Sequence, residues 1–362
     1  MIHFPRPSSL IAFLRSRLRP LDIGGDVVQQ VMANYGLSIM GKPANLALSR
    51  RTGNVVISTN AGRVVLKRYR NHLQNEGIQY IHSILACLGE LAFPVPRLFH
   101  TPSGADYISL NAGRFAVFEF VSGSNYSLDF LLPSDRHRLI ETSGKTLASF
   151  HKILRGFQPA GAHHLGFISY TGGWQRDAAW FANKLHELRE RSMVISNVAD
   201  RKNVDFLVSH AQETFDEFCR LDEKLQKANL MRTIIHGDFG LHNLIFKRDD
   251  HAVLTDFETA RIEWRLADLV STLSRSRSAE TMYHLEAVGH FMAGYQSVDP
   301  MPEEEWQSLP DVWRFFKLRS VFINWNSYFE RGGDKLSSAI DMYHQAAWAK
   351  VNNLTLLKLR NL

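Results

Sequence analysis

One stretch of the chain holds polar side chains whose types and spacing suit metal binding and the activation of a hydroxyl group. Two apolar runs, Leu244–Phe246 and Ala252–Thr255, are separated by polar residues and would pair as a hairpin. Asn243 precedes the first run and Asp256 follows the second, so the pairing brings both to the open end of the hairpin. Asp238 lies on the same loop as Asn243. Two carboxylates and one amide oxygen are therefore expected around a single point.

The donor set formed by these three side chains matches the oxygen ligands that Mg²⁺ prefers. We predict that Asn243 and Asp256 bind Mg²⁺, and that Asp238 accepts or orients the proton of an attacking hydroxyl. A kinase catalytic loop has the same order, His-x-Asp-x-x-x-x-Asn followed by a metal-binding Asp-Phe. Aspartate and asparagine are also common in ordinary turns. An ordinary turn would explain either polar cluster by itself. It would not explain why Asn243 and Asp256 both lie at the positions that a hairpin brings together.

A lysine at the end of a predicted strand is the candidate cation for the phosphates of a nucleotide. Lys67 follows an apolar run, in the position of the phosphate-binding lysine on a kinase strand. Glu76, early on the following helix and on its Leu73 side, is the predicted ion-pair partner. Arg68 and Arg70 are alternative cations. Without the distal motif, a solvated strand end would explain Lys67, and a surface glutamate would explain Glu76.

Two further segments are predicted to contact the nucleotide. The first turn, with Thr52, Gly53 and Asn54, would donate backbone N–H groups to the phosphates, although it lacks the Gly-x-Gly-x-x-Gly of protein kinases. The segment with Glu119 and Val121 is predicted to cross between two lobes and to hydrogen-bond an adenine. An ordinary strand followed by a turn is the alternative there.

The elements that must position these residues divide into a small sheet and a larger helical part. Five short β-type runs predict five antiparallel strands: Leu46–Leu48, Val55–Ile57, Val64–Leu66, Tyr107–Leu110 and Phe115–Phe120. Helical spacing predicts a helix between the third and fourth runs, with Gly89 as its C′ residue. An earlier helix is predicted around Val28 and ends at Gly36. Residues 1–123 are predicted as an N-terminal extension and N-lobe, and residues 124–362 as a helical C-lobe with the catalytic loop.

Three motifs resemble those of the aminoglycoside phosphotransferase/choline kinase superfamily of small-molecule kinases: His236-Gly237-Asp238 with Asn243, Asp256-Phe257-Glu258, and Leu266-Ala267-Asp268-Leu269. The resemblance covers residues 27–362 and is most specific between 234 and 270. It implies an α+β, two-lobed protein-kinase-like fold with a five-stranded antiparallel N-lobe, one main helix in that lobe, and a mostly helical C-lobe.

The resemblance also implies roles for individual residues. It makes Asp238 the catalytic aspartate, ATP the co-substrate, and Mg²⁺ the cofactor held by the ligands predicted above. His236 and Asp268 are implied to brace the loop rather than to react. Glu258 stands where protein kinases have glycine, and its role stays open.

These features predict an ATP-dependent phosphotransferase that acts on a hydroxyl of an aminoglycoside, an amino alcohol or a sugar. Only eleven residues separate Asp256 from Asp268, which leaves no room for the activation segment that protein kinases use to bind peptides. One alternative is a nucleotide-binding pseudokinase that acts as a regulatory or scaffolding protein. The intact set of Asp238, Asn243 and Asp256 argues against it.

The charge distribution raises a third possibility, a nucleic-acid binder. Residues 1–123 hold 13 basic and 6 acidic residues, whereas the rest of the chain holds 29 and 30. No aromatic stripe, helix-turn-helix or RNP-type pattern accompanies the basic excess, so no nucleic-acid partner is expected. The 45% hydrophobic and 22% charged composition is typical of globular proteins and excludes extensive disorder.

The cysteines, the histidines and the lengths of the apolar runs exclude several further classes of protein and site. Two cysteines in 362 residues exclude a disulfide scaffold and suit a reducing cytosol, and no apolar run is long enough to cross a membrane. A cytoplasmic protein without a membrane partner is therefore expected. The pair His163-His164 lacks nearby ligands, and His151 and His290 are interpreted as packed or surface residues, so no zinc site is expected. The oligomeric state is left open.

Overall fold

The computed structural model describes residues 22–46, 53–71, 73–126, 133–162, 164–165, 168–169, 178–247, 251–274 and 285–352. Its N-terminal lobe contains one antiparallel sheet with the strand order β1-β2-β3-β5-β4. The strands are β1 (Ala44–Asn45), β2 (Asn54–Thr59), β3 (Gly62–Arg68), β4 (Ile108–Leu110) and β5 (Gly113–Glu119). The five-stranded antiparallel sheet is confirmed. Residues 47 and 48 of the predicted first strand lie outside the described residues.

Side chains alternate between the two faces of this sheet, and a helix covers each face. Helix α1 (Gly25–Asn34) packs on the face that carries Val64 and Leu66, whereas α2 (Asn75–Glu90) packs on the face that carries Ala116. In β2 and β3 the apolar side chains that face α1 are buried, whereas Val56 and Val65 on the opposite face are only half-buried. Lys67 follows Leu66, so it lies on the α2 side of the sheet.

Helix α2 continues past the glycine predicted to end it. Gly89 lies inside the helix, and Ala92 takes the left-handed conformation with φ 55°. The N–H of Phe93 donates to the carbonyl of Leu88 at 2.8 Å, which closes the last turn as in a Schellman motif. The prediction of Gly89 as the C′ residue is therefore wrong. The turn forms where Phe93, 6% exposed, must enter the core.

The C-terminal lobe is mostly helical, as predicted. Its helices are α3 (Pro133–Ile153), α4 (Ala178–Met193), α5 (Val198–Lys227), α6 (Leu266–Leu273), α7 (Leu285–Val298), α8 (Glu303–Arg331) and α9 (Lys335–Val351). Short antiparallel pairs join β6 (His164–Leu165) to β7 (Ile168–Ser169), β8 (Arg232–Ile235) to β11 (Arg261–Trp264), and β9 (Leu244–Phe246) to β10 (Ala252–Leu254). Within the described ranges, every helix falls short of the length and apolar character that crossing a bilayer requires.

The two lobes are joined closely beside the β9–β10 hairpin. Ser124 exchanges two backbone hydrogen bonds with Phe246, at 3.0 and 2.9 Å. A Cβ atom on Gly123 would lie 2.6 Å from the Phe246 carbonyl oxygen, so only glycine fits this approach. On the other side of the hairpin, the N–H of Leu254 donates to the carbonyl of Pro94 at 2.9 Å. The hairpin is thus held on one side by the crossing at Ser124 and on the other by the loop that follows α2. The division at residue 123 stays a prediction.

Candidate active site

The hairpin predicted from the sequence forms, and it places Asn243 beside Asp256. Strand β9 pairs antiparallel with β10, with Leu244 opposite Leu254. The pairing extends one step further, because the N–H of Thr255 donates to the carbonyl of Asn243 at 2.9 Å. Asp256 comes next and has a left-handed backbone, with φ 65° and ψ 68°. Aspartate tolerates this conformation better than most residues, and non-glycine residues held there concentrate at functional sites.

The loop before the hairpin carries Asp238. Asn243 donates from Nδ2 to the backbone carbonyl of Asp238 at 2.8 Å and lies 3.4 Å from its Oδ2. The side chain of Asp238 is 38% exposed, and its Oδ2 lies 3.6 Å from Nε2 of His242. The loop therefore holds Asp238 by its backbone and leaves part of its carboxylate accessible.

His236 connects the loop to the end of the hairpin. Its Nε2 lies 2.9 Å from the carbonyl of Thr255, and its Nδ1 accepts the N–H of Asp238 at 3.3 Å. Only a neutral ring with the proton on Nε2 makes both bonds. Burial lowers the pKa of His236, in agreement with that neutral form. The histidine thus sets the distance between the segments that carry Asp238 and Asp256.

Asp268, at the start of α6, binds the backbone of the same loop. Its two carboxylate oxygens accept the backbone N–H groups of His236 and Gly237, both at 2.7 Å. Its Oδ2 also lies 3.2 Å from Nε2 of His151, whose Nδ1 lies 2.8 Å from the hydroxyl of Tyr295. Burial opposes ionisation of Asp268, but the hydrogen bonds from His151 and the loop more than offset it, and its pKa is lowered.

Lys67 reaches from β3 to the end of the hairpin. Its Nζ lies 2.9 Å from Oδ1 of Asp256 and 2.9 Å from Oε1 of Glu258. Burial opposes the charge on the ammonium group, but these carboxylates offset it, so the pKa of Lys67 is raised. The charge of Lys67 in turn lowers the pKa of Asp256. The predicted lysine and the predicted metal ligand are therefore in contact and both charged.

The predicted ion pair between Lys67 and Glu76 does not form in the described part of the chain. Glu76 shares the exposed face of α2 with Gln79 and Glu90, and not the buried side of the helix, where it was predicted to lie. The helical period decides this, because the buried residues of α2 occupy the opposite face. Glu258, whose role the motif left open, takes the place of Glu76 and also pairs with Nε of Arg70 at 3.3 Å.

The other residues predicted to bind the nucleotide lie in two places, beside Lys67 and on the crossing between the lobes. Asn54 lies opposite Lys67 in the β2–β3 pairing, and Gly53 precedes it, so both lie next to the lysine. Thr52 lies outside the described residues. Glu119 ends β5, and its N–H donates to the carbonyl of Arg97 at 2.8 Å. Val121 follows on the crossing between the lobes, and within the described ranges its N–H donates to no backbone carbonyl.

Two residues that bear on the site were missed by sequence reasoning. Asn125 donates from Nδ2 to the carbonyl of Leu244 at 2.7 Å and ties the crossing to the hairpin. His151 is completely buried and reaches Asp268. A histidine among apolar helical residues such as Phe150 and Leu154 needs a polar partner, and that requirement was the signal available in the sequence. No comparable signal marks Asn125.

The fold and the contacts at the hairpin define a protein-kinase-like architecture, in which a strand lysine of one lobe pairs with Asp256 and Glu258 of the other. The chain belongs to the phosphotransferase enzyme family, whose model matches residues 47–315. It is 24% identical over 313 residues to a homoserine kinase of Caulobacter vibrioides, with 84% of this chain and 89% of the relative covered.

Two solved structures share the fold. An aminoglycoside phosphotransferase from Alicyclobacillus acidocaldarius superposes with a TM-score of 0.61 at 20% identity, over 96% of this chain and 98% of the other. A microcompartment-associated aminopropanol kinase superposes with a TM-score of 0.64 at 18% identity, over 93% of this chain and 100% of the other. The expected superfamily and fold class are confirmed.

Proposed function

We propose that the chain transfers the γ-phosphoryl group of ATP to a hydroxyl of a small molecule. The observation that carries this proposal is the contact between Lys67 on β3 and Asp256 at the end of the hairpin, with Asn243 beside it. A cation suited to phosphate oxygens thereby meets a carboxylate suited to Mg²⁺. Membership in the phosphotransferase enzyme family supports the same reaction.

Asp238 is the proposed catalytic residue. Its accessible carboxylate would accept or orient the proton of the acceptor hydroxyl, so that the hydroxyl oxygen attacks the γ-phosphorus in line. The new bond joins that oxygen to phosphorus, the bond to the bridging oxygen of ADP breaks, and the proton passes toward Asp238. A positioned general base contributes about 10²–10⁴-fold to such a step.

The donor set at the hairpin fits Mg²⁺, the proposed cofactor. Asn243 commits its amide nitrogen to the carbonyl of Asp238, so its amide oxygen points the other way. The lowered pKa of Asp256, caused first by the charge of Lys67, keeps that side chain a carboxylate at neutral pH. We propose that Asn243 and Asp256 hold Mg²⁺, which when bound would neutralise charge on the phosphates.

The proposed nucleotide site runs from β3 to the crossing between the lobes. Lys67 would release part of its contact with Asp256 and Glu258 to a phosphate oxygen. Gly53 and Asn54 lie beside that lysine, in the turn expected to cover the phosphates. At the other end, Val121 and the adjacent Glu119 would present backbone groups to the adenine. Thr52 stays a prediction of the sequence.

His236 and Asp268 are proposed to brace the catalytic loop. Asp268 accepts two N–H groups of the loop, and His236 links that loop to the carbonyl before Asp256. Neither needs to exchange a proton during the reaction. Preorganised loops of this kind lower the cost of reaching the transition state, because the charged groups are already in place.

An amino alcohol is the acceptor proposed first. A relative is named a homoserine kinase and a structural neighbour an aminopropanol kinase, and both names describe a hydroxyl on an amino-bearing molecule. The short interval between Asp256 and Asp268 favours a small acceptor over a peptide. We further propose that residues 1–123 and 124–362 form the nucleotide-binding and the acceptor-binding lobe.

The test is a turnover assay of the full chain with ATP and Mg²⁺, in which ADP release is coupled to a spectroscopic readout. Homoserine, ethanolamine, 1-amino-2-propanol, choline, an aminoglycoside and a hexose serve as acceptors. We expect phosphorylation of at least one amino alcohol, with a matched loss when Asp238→Asn is assayed. Nucleotide binding without turnover on any of these acceptors would contradict the proposal and favour the pseudokinase alternative.

A further inference from the structure

Three side chains that commonly bind transition metals converge on the surface of the C-terminal lobe. His137 belongs to α3, whereas Glu286 and His290 lie one turn apart on α7. Nε2 of His137 lies 2.8 Å from Oε1 of Glu286, and Nε2 of His290 lies 3.9 Å from the same oxygen. One ligand atom from each of the three residues fits within 4.8 Å of the others.

We propose that His137, Glu286 and His290 form a binding site for a transition-metal ion of the Zn²⁺ class. Two imidazoles and one carboxylate make a common three-ligand set for zinc, with water in the fourth position. In a tetrahedral zinc site the ligand atoms lie about 3.3 Å apart, which follows from bonds of about 2.0–2.1 Å. The observed separations lie on either side of that value. Shifts of less than about 1 Å would therefore bring all three atoms to one ion.

The imidazole rings of His137 and His290 lie against each other where α3 meets α7. Their centroids are 3.6 Å apart, with an angle of 36° between the ring planes. Nε2 of each ring faces the same carboxylate oxygen, and side-chain rotations that move the ring centroids apart by about 1–2 Å would let both nitrogens reach one tetrahedral ion. His290 is the less exposed of the two, at 30%, against 54% for His137. The site is thus accessible to an ion from solution.

Close packing of the two helices fixes the backbone positions that carry these ligands. A Cβ atom on Gly144 of α3 would overlap the carbonyl oxygen of Phe291, and one on Gly294 of α7 would overlap that of Glu141. Gly144 lies seven residues after His137, and Gly294 lies four after His290, which puts each histidine on the same helix face as the glycine. The backbones at the crossing are therefore in direct contact. The crossing thus fixes the backbones that carry the three ligands, and metal binding requires only movements of their side chains.

The ligand chemistry excludes the cation proposed for the catalytic centre. Mg²⁺ and Ca²⁺ prefer oxygen ligands, whereas imidazole nitrogen suits zinc, copper and nickel. The cluster also lies about 21 Å along α3 from His151, the residue of that helix that reaches Asp268, at 1.5 Å per residue. The metal would therefore join α3 to α7 and stabilise the helix pair, and this inference does not depend on the proposed phosphoryl transfer.

The chain offers a matched control for this site. His186 and Glu190 form an exposed histidine–glutamate pair at i,i+4 on α4, with 3.5 Å between Nδ1 and Oε1. This pair resembles that of Glu286 and His290, but within the described ranges no third ligand group lies close enough to complete a metal site. A pair with two ligands is expected to bind zinc far more weakly than a three-ligand site.

The test uses the full chain purified without a polyhistidine tag and titrated with Zn²⁺ by calorimetry. We expect one site per chain whose affinity falls more than about tenfold in His137→Ala and in His290→Ala, since each removes a ligand. His186→Ala should bind as the wild type does. Co²⁺ serves as a second probe, because a four-coordinate ion with nitrogen ligands gives intense visible absorption, and this band should be lost in both variants.

Three results would overturn the assignment. The first is a wild-type chain that binds no Zn²⁺ at micromolar concentrations. The second is binding that persists unchanged in both histidine variants, which would place it elsewhere on the chain. The third is equal loss in His186→Ala. Circular dichroism checks folding, and His137→Gln, which keeps the size and a hydrogen bond, replaces the alanine variant if that one does not fold.

Discussion

Lys67 of the N-terminal lobe and Glu258 of the C-terminal lobe form an ion pair 2.9 Å long, in which the glutamate side chain is only 8% exposed. In protein kinases the partner of this lysine lies on the helix that follows the strand. Here the partner lies two residues after Asp256, on the turn at the end of the hairpin. The anchor of the lysine is therefore independent of the position of α2.

Replacing Glu258 should weaken nucleotide use more than replacing Glu76. Glu258→Gln removes one of the two carboxylates that pair with Lys67, so the lysine is held less firmly in the position expected to contact a phosphate. We expect kcat/KM for ATP to fall about 10- to 100-fold. Glu76→Gln, on the exposed face of α2, should leave it unchanged. Steady-state kinetics with varied ATP checks both, and equal effects of the two variants would contradict this arrangement of the site.

Asp238→Asn should abolish most of the turnover without unfolding the chain. The amide keeps the size of the side chain but cannot accept the proton of the acceptor, so kcat should fall about 10²- to 10⁴-fold. The affinity for ATP should change little, because Asp238 is not proposed to contact the nucleotide. Single-turnover kinetics and calorimetry with a non-hydrolysable nucleotide measure the two quantities. A variant that keeps half of the wild-type kcat would remove Asp238 from the chemistry.

The crossing of α3 and α7 should tolerate no side chain at Gly144. A Cβ atom there would overlap the carbonyl oxygen of Phe291 and lie 2.9 Å from the backbone nitrogen of Tyr295. Because backbone atoms cannot move aside easily, Gly144→Ala should lower the free energy of unfolding by about 1–3 kcal/mol or more.

Gly89→Ala provides the matched control for that experiment. Gly89 also lies inside a helix, but nothing lies within 4 Å of the Cβ atom it would gain. Alanine there should raise the free energy of unfolding by up to about 1 kcal/mol, because it favours the helix. Urea denaturation measures both variants. Equal destabilisation by the two substitutions would show that the close approach of α3 and α7 is not the cause.

His82 should make the N-terminal lobe sensitive to acid. It is 2% exposed, and burial lowers its pKa despite the opposing charge of Asp106, whose Oδ2 lies 3.6 Å from Nδ1 of His82. Below the ordinary histidine pKa of about 6.5, the unfolded chain binds a proton that the folded chain does not. The neutral, buried His82 therefore stabilises the folded chain fully above that pH. As the pH falls below it, the free energy of unfolding should decrease by up to about 1.4 kcal/mol per pH unit.

His82→Gln should reduce this acid dependence, because glutamine does not titrate and can still bond to the hydroxyl of Tyr69, which lies 2.7 Å from Nε2. The control is His186→Gln, since the side chain of His186 is 75% exposed. Urea denaturation between about pH 5 and 8 gives the slopes. An unchanged slope in His82→Gln would assign the acid sensitivity to other groups.

Local patterns in the sequence were enough to predict the sheet and the hairpin. The β-type runs predicted the strands of the N-terminal lobe, because β-branched residues between turn-forming residues favour strands. The motif from His236 to Asp256 predicted the neighbourhood of Asn243 and Asp256, because a hairpin joins residues close in sequence. Neither result required knowledge of how the lobes pack.

Tertiary structure alone decided which distant side chains meet. The sequence placed a plausible glutamate on α2, but the helix turns Glu76 outward, and Glu258 reaches Lys67 from the other lobe. From the sequence, His290 was interpreted as an ordinary packed or surface residue. In the structure, the packing of α3 against α7 brings His137 next to it. A sequence pattern fixes the face of an element on which a residue lies. Which faces come together depends on packing between elements far apart in the chain, and no local period encodes that.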